Sequence, residues 1–410
     1  MKTRCSCAIF TCQCRSASAP VHFSGGGRES PGNSDFTVRL IGSDDKVTGL
    51  ADALTSFYRG RRVLVTGHTG FKGSWLVLWL RKMGATTVGV ALPPSSPLSM
   101  FCSAELTSPG DRFCDVRNLA ALRPVFEETK PEIVFHLAAQ AIVGIAYRDP
   151  PATFEANVMG SAHILECLRS QPSVAAAVMI TSDKCYENVE QIWGYREHDR
   201  LGGVDPYSAS KAGAEIVISS FTRSFFQEEG TANVASARAG NVVGGGDWSE
   251  FRLIPDCVRG LRAKAPISLR SPKATRPWQF VLEPLAGYLL LGKRLVEEGK
   301  GFQGAWNFGP PVDNTTTVER GAQAVVEAWG EGSIECAPTG PFHESTLLQL
   351  DCTKARRYLG WRSVVDFAET MRLTAQWYKH QHTIQGQPMR EYSLRQLCAF
   401  EQRLNQEVSI

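Results

Sequence analysis

The sequence predicts an α/β fold in which a doubly wound parallel sheet is followed by a smaller C-terminal α/β domain. Five short runs of β-branched and small apolar residues have the length of buried strands, at residues 61–66, 86–91, 132–137, 175–181 and 233–237. Stretches long enough for helices separate them, and such alternation is typical of parallel sheets covered by helices on both faces. The chain has 410 residues, which is enough for two packed domains because single cores stop growing at about 250–300 residues.

The composition is that of an ordinary globular protein, with 43% hydrophobic and 21% charged residues. The net charge of +3 is too small to predict a nucleic-acid partner, and the apolar runs fall well short of the ~20 residues that span a membrane. Cys5, Cys7, Cys12 and Cys14 crowd the start of the chain, and the other cysteines are scattered. We therefore expect a reduced, intracellular protein without a disulfide framework or a metal site.

We expect four segments along the chain. Residues 1–57 have no acidic residue before Glu29 and no sustained periodicity, which predicts a leader outside the folded core. A transit peptide, a disordered tail and a mis-assigned start codon all fit it. The location is then cytoplasmic, or an organelle if the leader is a transit peptide. Residues 58–240 with returning segments form the nucleotide-binding domain, residues 241–380 mainly the substrate domain, and residues 381–410 a C-terminal extension.

A glycine motif, GHTGFKG, joins the first predicted strand to a predicted helix at residues 71–83. Gly67, Gly70 and Gly73 permit a tight turn, close approach of the backbone to a pyrophosphate, and close contact between helix and sheet. The amides at the start of the helix then face the phosphates. The motif predicts that the doubly wound sheet is a Rossmann-type domain that binds a nicotinamide dinucleotide.

The end of the second predicted strand bears on the choice between NAD and NADP. Residues 91–94 read Ala-Leu-Pro-Pro, with no acidic side chain for the ribose hydroxyls and no Arg for a 2′-phosphate. The position does not decide between the two cofactors, and the lack of an Arg favours NAD.

Tyr207 and Lys211 stand four residues apart in YSASK, so a helix places them on one face. A neighbouring ammonium favours the phenolate, and we expect it to lower the pKa of Tyr207 from its ordinary value of about 10. Such a phenolate is able to remove a proton from a sugar hydroxyl while a hydride leaves the same carbon.

These motifs together resemble the extended short-chain dehydrogenase/reductases. GHTGFKG, HLAAQ at residues 136–140, Asn157 and YxxxK occur in that order, and the resemblance extends from residue 61 to residue 378. Within that family the chain is most similar to the CDP-glucose 4,6-dehydratases. This finer resemblance rests on TSDKCYEN at 181–188, DPYSASK at 205–211, RAGNVVGGGDW at 238–248 and RPWQ at 276–279.

The resemblance implies a catalytic group of five residues. Tyr207 is the base for the C4 hydroxyl of a hexose, Lys211 its electrostatic partner, and Ser182 a hydrogen-bond donor to the C4 oxygen. Asp183 and Lys184 share the proton transfers at C5 and C6, with Asp183 the expected donor to the leaving hydroxyl and Lys184 the expected base. Which of these two is acid and which is base remains open.

The resemblance also implies binding residues. For the cofactor they are Gly67, Gly70, Phe71, Gly73, Asp115, Val116, Leu137, Ala138, Ala139, Tyr207 and Lys211. For the nucleotide sugar they are Gln140, Asn241, Arg252 and Arg276. Trp278 stacks on a base or packs its loop, and both alternatives are open.

The implied reaction is the dehydration of CDP-glucose to CDP-4-keto-6-deoxyglucose for deoxysugar biosynthesis, by an NAD-dependent homodimer. Two alternatives are an epimerase or dehydratase that acts on a UDP- or GDP-sugar, and a family member that binds the cofactor without catalysis. Lys184 and the GGGDW loop argue against the first alternative. The second is disfavoured because Asp183, Lys184, Tyr207 and Lys211 are all intact.

Overall fold

The computed structural model describes residues 49–311, 314–336 and 347–406. The predicted leader, with its four clustered cysteines, lies outside the described residues as far as residue 48. The end of that segment forms helix α1, Leu50–Tyr58. Ala51, Leu54 and Tyr58 are buried at helical spacing, so a single face of α1 packs against the core.

The strands and helices alternate in chain order. The strands are β1 Arg62–Thr66, β2 Thr86–Ala91, β3 Arg112–Phe113, β4 Ile133–His136, β5 Ala176–Ile180, β6 Asn233–Arg238, β7 Val242–Val243, β8 Ile267–Leu269, β9 Thr275–Pro277, β10 Gln279–Phe280, β11 Gly304–Asn307, β12 Thr315–Thr317 and β13 Ile334–Cys336. The remaining α-helices are α2 Phe71–Lys82, α3 Met100–Ser103, α4 Leu119–Thr129, α5 Val143–Arg148, α6 Pro150–Phe154, α7 Gly160–Arg169, α8 Pro206–Phe225, α9 Leu253–Ala263, α10 Leu282–Glu297, α11 Val318–Trp329, α12 Phe367–Ile384 and α13 Arg390–Gln406. Single turns of 3₁₀ helix lie at Asp183–Cys185 and Gly299–Phe302, and π-helical turns at Glu155–Met159 and Ala355–Leu359.

A seven-stranded sheet with the order β11-β6-β5-β4-β1-β2-β3 forms the centre of the fold. Every pair of neighbours in it is parallel. The strand order reverses between β1 and β4, and ligands of open α/β sheets bind at the carboxyl ends of the strands at such a switch point. The prediction of a doubly wound parallel sheet is confirmed, and the five predicted strands agree with the observed ones to within a residue or two at their ends.

Both faces of this sheet are covered by apolar side chains. Along β1, Val63 and Val65 contact one hydrophobic cluster, and Leu64 contacts the other. The first cluster contains the buried residues of α2 and α10, and the second those of α4 and α7. Alternation along the strand therefore places helices on both sides of the sheet, as the strand periodicity requires.

The second half of the chain adds three two-stranded sheets and returns once to the large one. The small pairs are β7 with β10, β8 with β13, and β9 with β12. Strand β11 pairs in parallel with β6, so a segment beyond residue 300 completes the central sheet. The predicted domain boundary at residue 240 stays a prediction.

Helix α13 packs into the core near the end of the chain. Leu397, Phe400 and Leu404 are buried on one face of it. The ring of Phe400 meets Trp79 of α2 edge to face, with ring centres 5.8 Å apart. Glu401 accepts hydrogen bonds from Trp79 Nε1 at 3.0 Å and from Lys82 Nζ at 2.7 Å. These contacts tie the extension to the first helix after the glycine motif.

Within the described part of the chain, none of the helices has the length and apolar character needed to span a membrane.

Phe400→Ala is expected to destabilise the fold by about 3–5 kcal/mol, because the truncation leaves a cavity between α13 and Trp79. Chemical denaturation measures this change. Cys398→Ala is the matched control on the same helix, since Cys398 is exposed and its truncation should change stability by less than about 0.5 kcal/mol. Equal effects of the two substitutions would show that α13 does not contribute to the core.

Candidate active site

The predicted site residues converge on one cavity at the carboxyl edge of the sheet. The ends of β4, β5 and β6 contribute to it, together with the first turns of α2 and α8. Its volume is about 330 Å³, within the size range of small-molecule sites. The predicted residues that line it are Phe71, Leu137, Ala139, Ser182, Asp183, Lys184, Tyr207, Lys211, Asn241, Arg252 and Arg276.

The glycine turn has the close packing that only glycine allows. Gly67 has a φ of +72°, and a Cβ there would lie 2.7 Å from the backbone nitrogen of Ala138. A Cβ on Gly73 would lie 2.1 Å from the carbonyl oxygen of Gly67. Gly70 leads directly into α2, whose first amides point out of its amino end. This cradle fits the pyrophosphate of a dinucleotide, in agreement with the prediction from GHTGFKG.

Strand β5 delivers Ser182, Asp183 and Lys184 to the cavity. Ser182 Oγ donates to Asp183 Oδ1 at 2.9 Å and accepts from the backbone nitrogen of Lys184 at 3.2 Å. A side-chain hydrogen bond also joins Ser182 to Tyr207. These contacts place the hydroxyl of Ser182 between the carboxylate of Asp183 and the phenol of Tyr207.

Asp183 is packed against Gly240, in the turn between β6 and β7. Its side chain is buried, and Oδ2 has no hydrogen-bond partner among the described residues. A Cβ on Gly240 would lie 1.8 Å from this oxygen, so only glycine leaves room for the carboxylate. A buried carboxylate oxygen without a partner costs free energy unless a ligand satisfies it. Oδ2 is therefore a candidate atom for contact with a ligand in this cavity.

Helix α8 begins at a cap that fixes Tyr207. Asp205 accepts from Ser208 through the backbone nitrogen at 3.0 Å and through Oγ at 2.5 Å. Pro206 occupies the first helical position, where its missing N–H costs nothing. Tyr207 and Lys211 follow on the buried face of the helix, only 8% and 5% exposed. The YxxxK prediction of one shared helical face is confirmed.

Burial is the main cause of the pKa shifts of Tyr207 and Lys211. It raises the pKa of Tyr207 to about 12, against the opposing effects of the Ser182 hydrogen bond and the positive charge of Arg252. Burial also lowers the pKa of Lys211 to about 8. The predicted net decrease in the pKa of Tyr207 is therefore wrong, because removing the phenol from water outweighs the favourable groups around it. A phenolate formed here is a stronger base than one in water.

Lys72 is a cavity residue that the sequence analysis did not single out. It is the second residue of α2 and lines the cavity, with its ammonium 5.9 Å from the ring centre of Tyr288. Burial lowers the pKa of Lys72 to about 7, and the positive charges of Lys211 and Arg252 act in the same direction. The sequence could have indicated Lys72 by its position inside GHTGFKG, because the residue before the third glycine faces the cavity.

A comparison with known families decides the identity of the fold and site. The sequence model of the family described as GDP-mannose 4,6 dehydratase matches residues 64–374. The chain belongs to this family. It is 44% identical over 352 residues to the CDP-glucose 4,6-dehydratase of Salmonella typhimurium, covering 84% of this chain and 97% of that one.

Solved structures of related enzymes agree with this family membership. The epimerase Mth375 of Methanothermobacter thermautotrophicus has a TM-score of 0.71 at 25% identity, over 82% of this chain and 96% of that one. The UDP-glucose 4-epimerase of Thermus thermophilus, solved as a complex with NAD, has a TM-score of 0.67 at 27% identity, over 78% and 99%. Dehydratases and epimerases therefore share this architecture.

Two of the predicted substrate-binding residues, Arg252 and Asn241, face the cavity. Arg252 Nη1 forms an ion pair with Asp247 Oδ2 at 2.9 Å, so the GGGDW loop orients its guanidinium. Asn241 has a φ of +45° at the turn after β6. Arg276 lies on β9, and Trp278 beside it is largely buried while lining the cavity.

Gln140 does not line the cavity. Its Oε1 accepts from the backbone nitrogen of Ile142 at 2.5 Å, and its Nε2 donates to Thr153 at 3.0 Å. Its backbone is held by Asn157, which also donates to Ser210 on α8 at 2.8 Å. These bonds hold the side chain of Gln140 in the loop that leads into α5 and α6, and its predicted substrate contact stays a prediction.

Asp115 and Val116 follow β3 at the far edge of the sheet and also lie outside the cavity lining. Asp115 forms an ion pair with Arg117 at 2.7 Å, and hydrogen bonds from Arg117 lower its pKa. The carbonyl oxygen of Val116 contacts His163 Nδ1 at 3.0 Å. Their predicted cofactor contacts stay a prediction, as does that of Ala138, whose backbone nitrogen donates to Thr66 Oγ1 at 3.1 Å.

Gly73→Ala is expected to destabilise the protein by about 1–3 kcal/mol and to weaken NAD binding, because the new methyl group collides with the carbonyl of Gly67. Thermal unfolding and calorimetric titration with NAD measure the two effects. Gly110→Ala is the control, since the nearest atom to its new Cβ would be at 3.7 Å. A Gly73→Ala protein with unchanged melting temperature and NAD affinity would contradict the cradle.

Proposed function

We propose that this chain dehydrates CDP-glucose to CDP-4-keto-6-deoxyglucose, with NAD as cofactor, in deoxysugar biosynthesis. The observation that carries the proposal is the meeting of Ser182, Asp183 and Lys184 with Tyr207 and Lys211 in one cavity. The relative at 44% identity, named CDP-glucose 4,6-dehydratase, aligns over 97% of its length and supports the choice of nucleotide.

The cofactor site comprises the cradle of Gly67 and Gly73, the amino end of α2, and Lys211. NAD bound there would accept a hydride from C4 of the hexose and return it to C6. The chain supplies the rest. The amides of α2 would stabilise the pyrophosphate, and the ammonium of Lys211, on the helix that also carries Tyr207, would hold the nicotinamide ribose.

In the first step Tyr207 takes the proton of the C4 hydroxyl. Because burial raises the pKa of Tyr207 to about 12, its phenolate needs the Ser182 hydrogen bond and the positive charge of Arg252, which both act to lower that pKa; once formed, the phenolate is a strong base for a weakly acidic sugar hydroxyl. Ser182, which is hydrogen-bonded to Tyr207, donates to the C4 oxygen and stabilises charge as the ketone forms. Lys211 provides the positive charge that holds the phenolate.

In the second step the 4-ketone acidifies the C5 proton, and water leaves from C6. This elimination needs one group to remove the C5 proton and another to protonate the departing hydroxyl. We assign the base role to Lys184 and the donor role to Asp183, whose buried Oδ2 has no hydrogen-bond partner among the described residues. An epimerase needs neither group, which favours dehydration over epimerisation.

The diphosphate of the substrate would be held by Arg252 and Arg276, with Asn241 beside them. Guanidinium groups suit phosphate because they form paired, charge-assisted hydrogen bonds. The ion pair between Arg252 Nη1 and Asp247 Oδ2, at 2.9 Å, orients the guanidinium and leaves its other nitrogen atoms able to bind phosphate.

We propose a cytoplasmic homodimer. The eight cysteines within the described residues are all free, which supports a reducing compartment. The outer surfaces of the helices that flank the site expose large apolar side chains, and paired helices beside YxxxK would bury them. These side chains are Tyr147, Phe154, Met159, Ile216 and Phe225.

Incubation of the purified chain with CDP-glucose and NAD is expected to give a 4-keto-6-deoxy sugar, measured by its ultraviolet absorbance in alkali. UDP-glucose, GDP-mannose and dTDP-glucose are tested in parallel and should turn over at least ~10-fold more slowly, a difference of about 1.4 kcal/mol in transition-state binding. Formation of UDP-galactose from UDP-glucose would favour the epimerase alternative. Absence of product from every nucleotide sugar, with NAD bound, would favour a non-catalytic role.

Tyr207→Phe is expected to abolish C4 oxidation, with at least a ~100-fold loss, because the proton acceptor is removed. Lys184→Ala should retain cofactor reduction in a single turnover but stop the loss of water. Absorbance at the wavelength of reduced nicotinamide separates the steps. Equal loss of reduction in both variants would contradict the separate roles of Tyr207 and Lys184.

A further inference from the structure

We propose that Glu215 is a positioning residue whose carboxylate holds the three catalytic segments in register and keeps the ammonium of Lys211 charged. The proposal rests on the function proposed above in one respect, because its kinetic readout uses that reaction. It assigns a role to a residue that neither the glycine motif nor YxxxK contains.

Glu215 lies one helical turn beyond Lys211 and two turns beyond Tyr207 on α8. Residues at this spacing share a helical face, and all three side chains are buried in the interior of the protein. Glu215 is only 3% exposed. A carboxylate this deep is retained only where donors satisfy it, because desolvation of an unpaired charge costs several kcal/mol.

Its donors come from two neighbouring strands. Thr181 Oγ1 donates to Glu215 Oε1, from the residue that immediately precedes Ser182. Ser236 Oγ donates to Oε2 at 2.8 Å, and Arg238 Nη2 donates to Oε2 at 2.7 Å. One carboxylate therefore connects α8 to the ends of β5 and β6.

Each of these connections leads to part of the active site. Ser182, Asp183 and Lys184 follow Thr181 on β5, and the turn that carries Asn241 follows Arg238 on β6. A shift of α8 along the sheet would break all the bonds to the carboxylate at once. Glu215 does not line the cavity, but its hydrogen bonds fix the position of the Tyr207 phenol relative to Asp183 and Lys184.

The carboxylate also acts on Lys211 through its charge. Burial opposes ionisation, but the ion pair and hydrogen bond from Arg238 lower the pKa of Glu215 and keep it negative. Burial lowers the pKa of Lys211 to about 8, and the thiol of Cys185 and the carboxylate of Glu215 both act to raise it. Lys72 on α2 and His136 on β4 also interact electrostatically with Lys211, and Tyr207 lies one helical turn before it on α8.

Arg238 is held in place by contacts other than Glu215. Its Nη1 donates to Tyr186 at 2.7 Å and to the carbonyl oxygen of Glu197 at 3.0 Å. Tyr186 in turn donates to Asn307 on β11 at 2.8 Å. Removal of the negative charge of Glu215 would therefore leave the guanidinium in place without its carboxylate partner.

Glu215→Gln tests the proposal because it keeps the shape of the side chain and removes its charge. The sign follows from the cation: a lower pKa of Lys211 means that the ammonium is lost at lower pH. The alkaline limb of kcat with CDP-glucose should move down by ~1 pH unit, with KM changed by less than ~2-fold. Glu215→Asp keeps the charge and should return the limb toward its original position.

Arg238→Gln is expected to move the limb in the same direction as Glu215→Gln. The guanidinium keeps the buried carboxylate of Glu215 negative, so without it Glu215 gives less support to the ammonium of Lys211 and the alkaline limb should move to lower pH. Glu215→Asp separates this effect from general damage to the fold, because it keeps the charge and should restore the limb. Glu401→Gln is the matched control, since it removes a paired carboxylate that binds Lys82 and Trp79 on α2 and should leave the limb unchanged.

A direct titration separates this proposal from the proposed reaction. In protein labelled with ¹³C at lysine Cε, the resonance lost in Lys211→Arg belongs to Lys211, and its midpoint should lie at about 8. In Glu215→Gln the midpoint should fall by ~1 unit, whether or not CDP-glucose is turned over. If Glu215→Gln does not fold, a downward shift of the Lys211 midpoint in Arg238→Gln, where Glu215 loses the partner that keeps it negative, decides. Unchanged midpoints in the variants that fold would overturn the proposal.

Discussion

The burial of ionisable groups at the carboxyl edge of a parallel sheet is the constraint on which the site depends. Water-free surroundings move the pKa of Tyr207 up to about 12 and those of Lys211 and Lys72 down to about 8 and 7. The same surroundings strengthen every charge interaction across the cavity. In our proposal the buried carboxylate of Glu215, which Arg238 holds in place, offsets part of the decrease in the pKa of Lys211. The catalytic groups are therefore poised by neighbours that lie outside the cavity.

Fold and activity are set by different parts of the sequence. The glycine cradle, the parallel sheet and YxxxK serve epimerases and dehydratases alike, as the similarity to solved epimerases shows. In the proposed reaction, elimination depends on a pair of residues, Asp183 and Lys184, that follow the end of one strand. Their placement depends on a glycine at position 240, because a side chain there would collide with the carboxylate. A change in activity on this scaffold thus needs few substitutions, but they must fit a crowded floor.

Local patterns gave most of the fold and the centre of the site. Strand periodicity, the glycine motif and the four-residue spacing of Tyr207 and Lys211 depend on neighbours in sequence, so they were readable. The packing of α13 was not, since Lys82 and Glu401 meet across more than 300 residues. The bonds of the Gln140 side chain to Ile142 and Thr153 were not readable either, because they depend on a loop conformation. The predicted decrease in the pKa of Tyr207 was wrong, because the spacing of two residues does not show how deeply they are buried.

The return of β11 to the central sheet has a mechanical consequence. Its four residues pair in parallel with β6, and β6 also carries Arg238, the partner of Glu215. The segment beyond residue 240 is therefore joined by hydrogen bonds to the sheet that carries the site. It cannot rotate away from the rest of the protein as a rigid body without breaking the pairing of β11 with β6. The GGGDW loop is fixed as well, because Trp75 and Tyr378 donate hydrogen bonds to the carbonyl oxygens of Gly245 and Asp247.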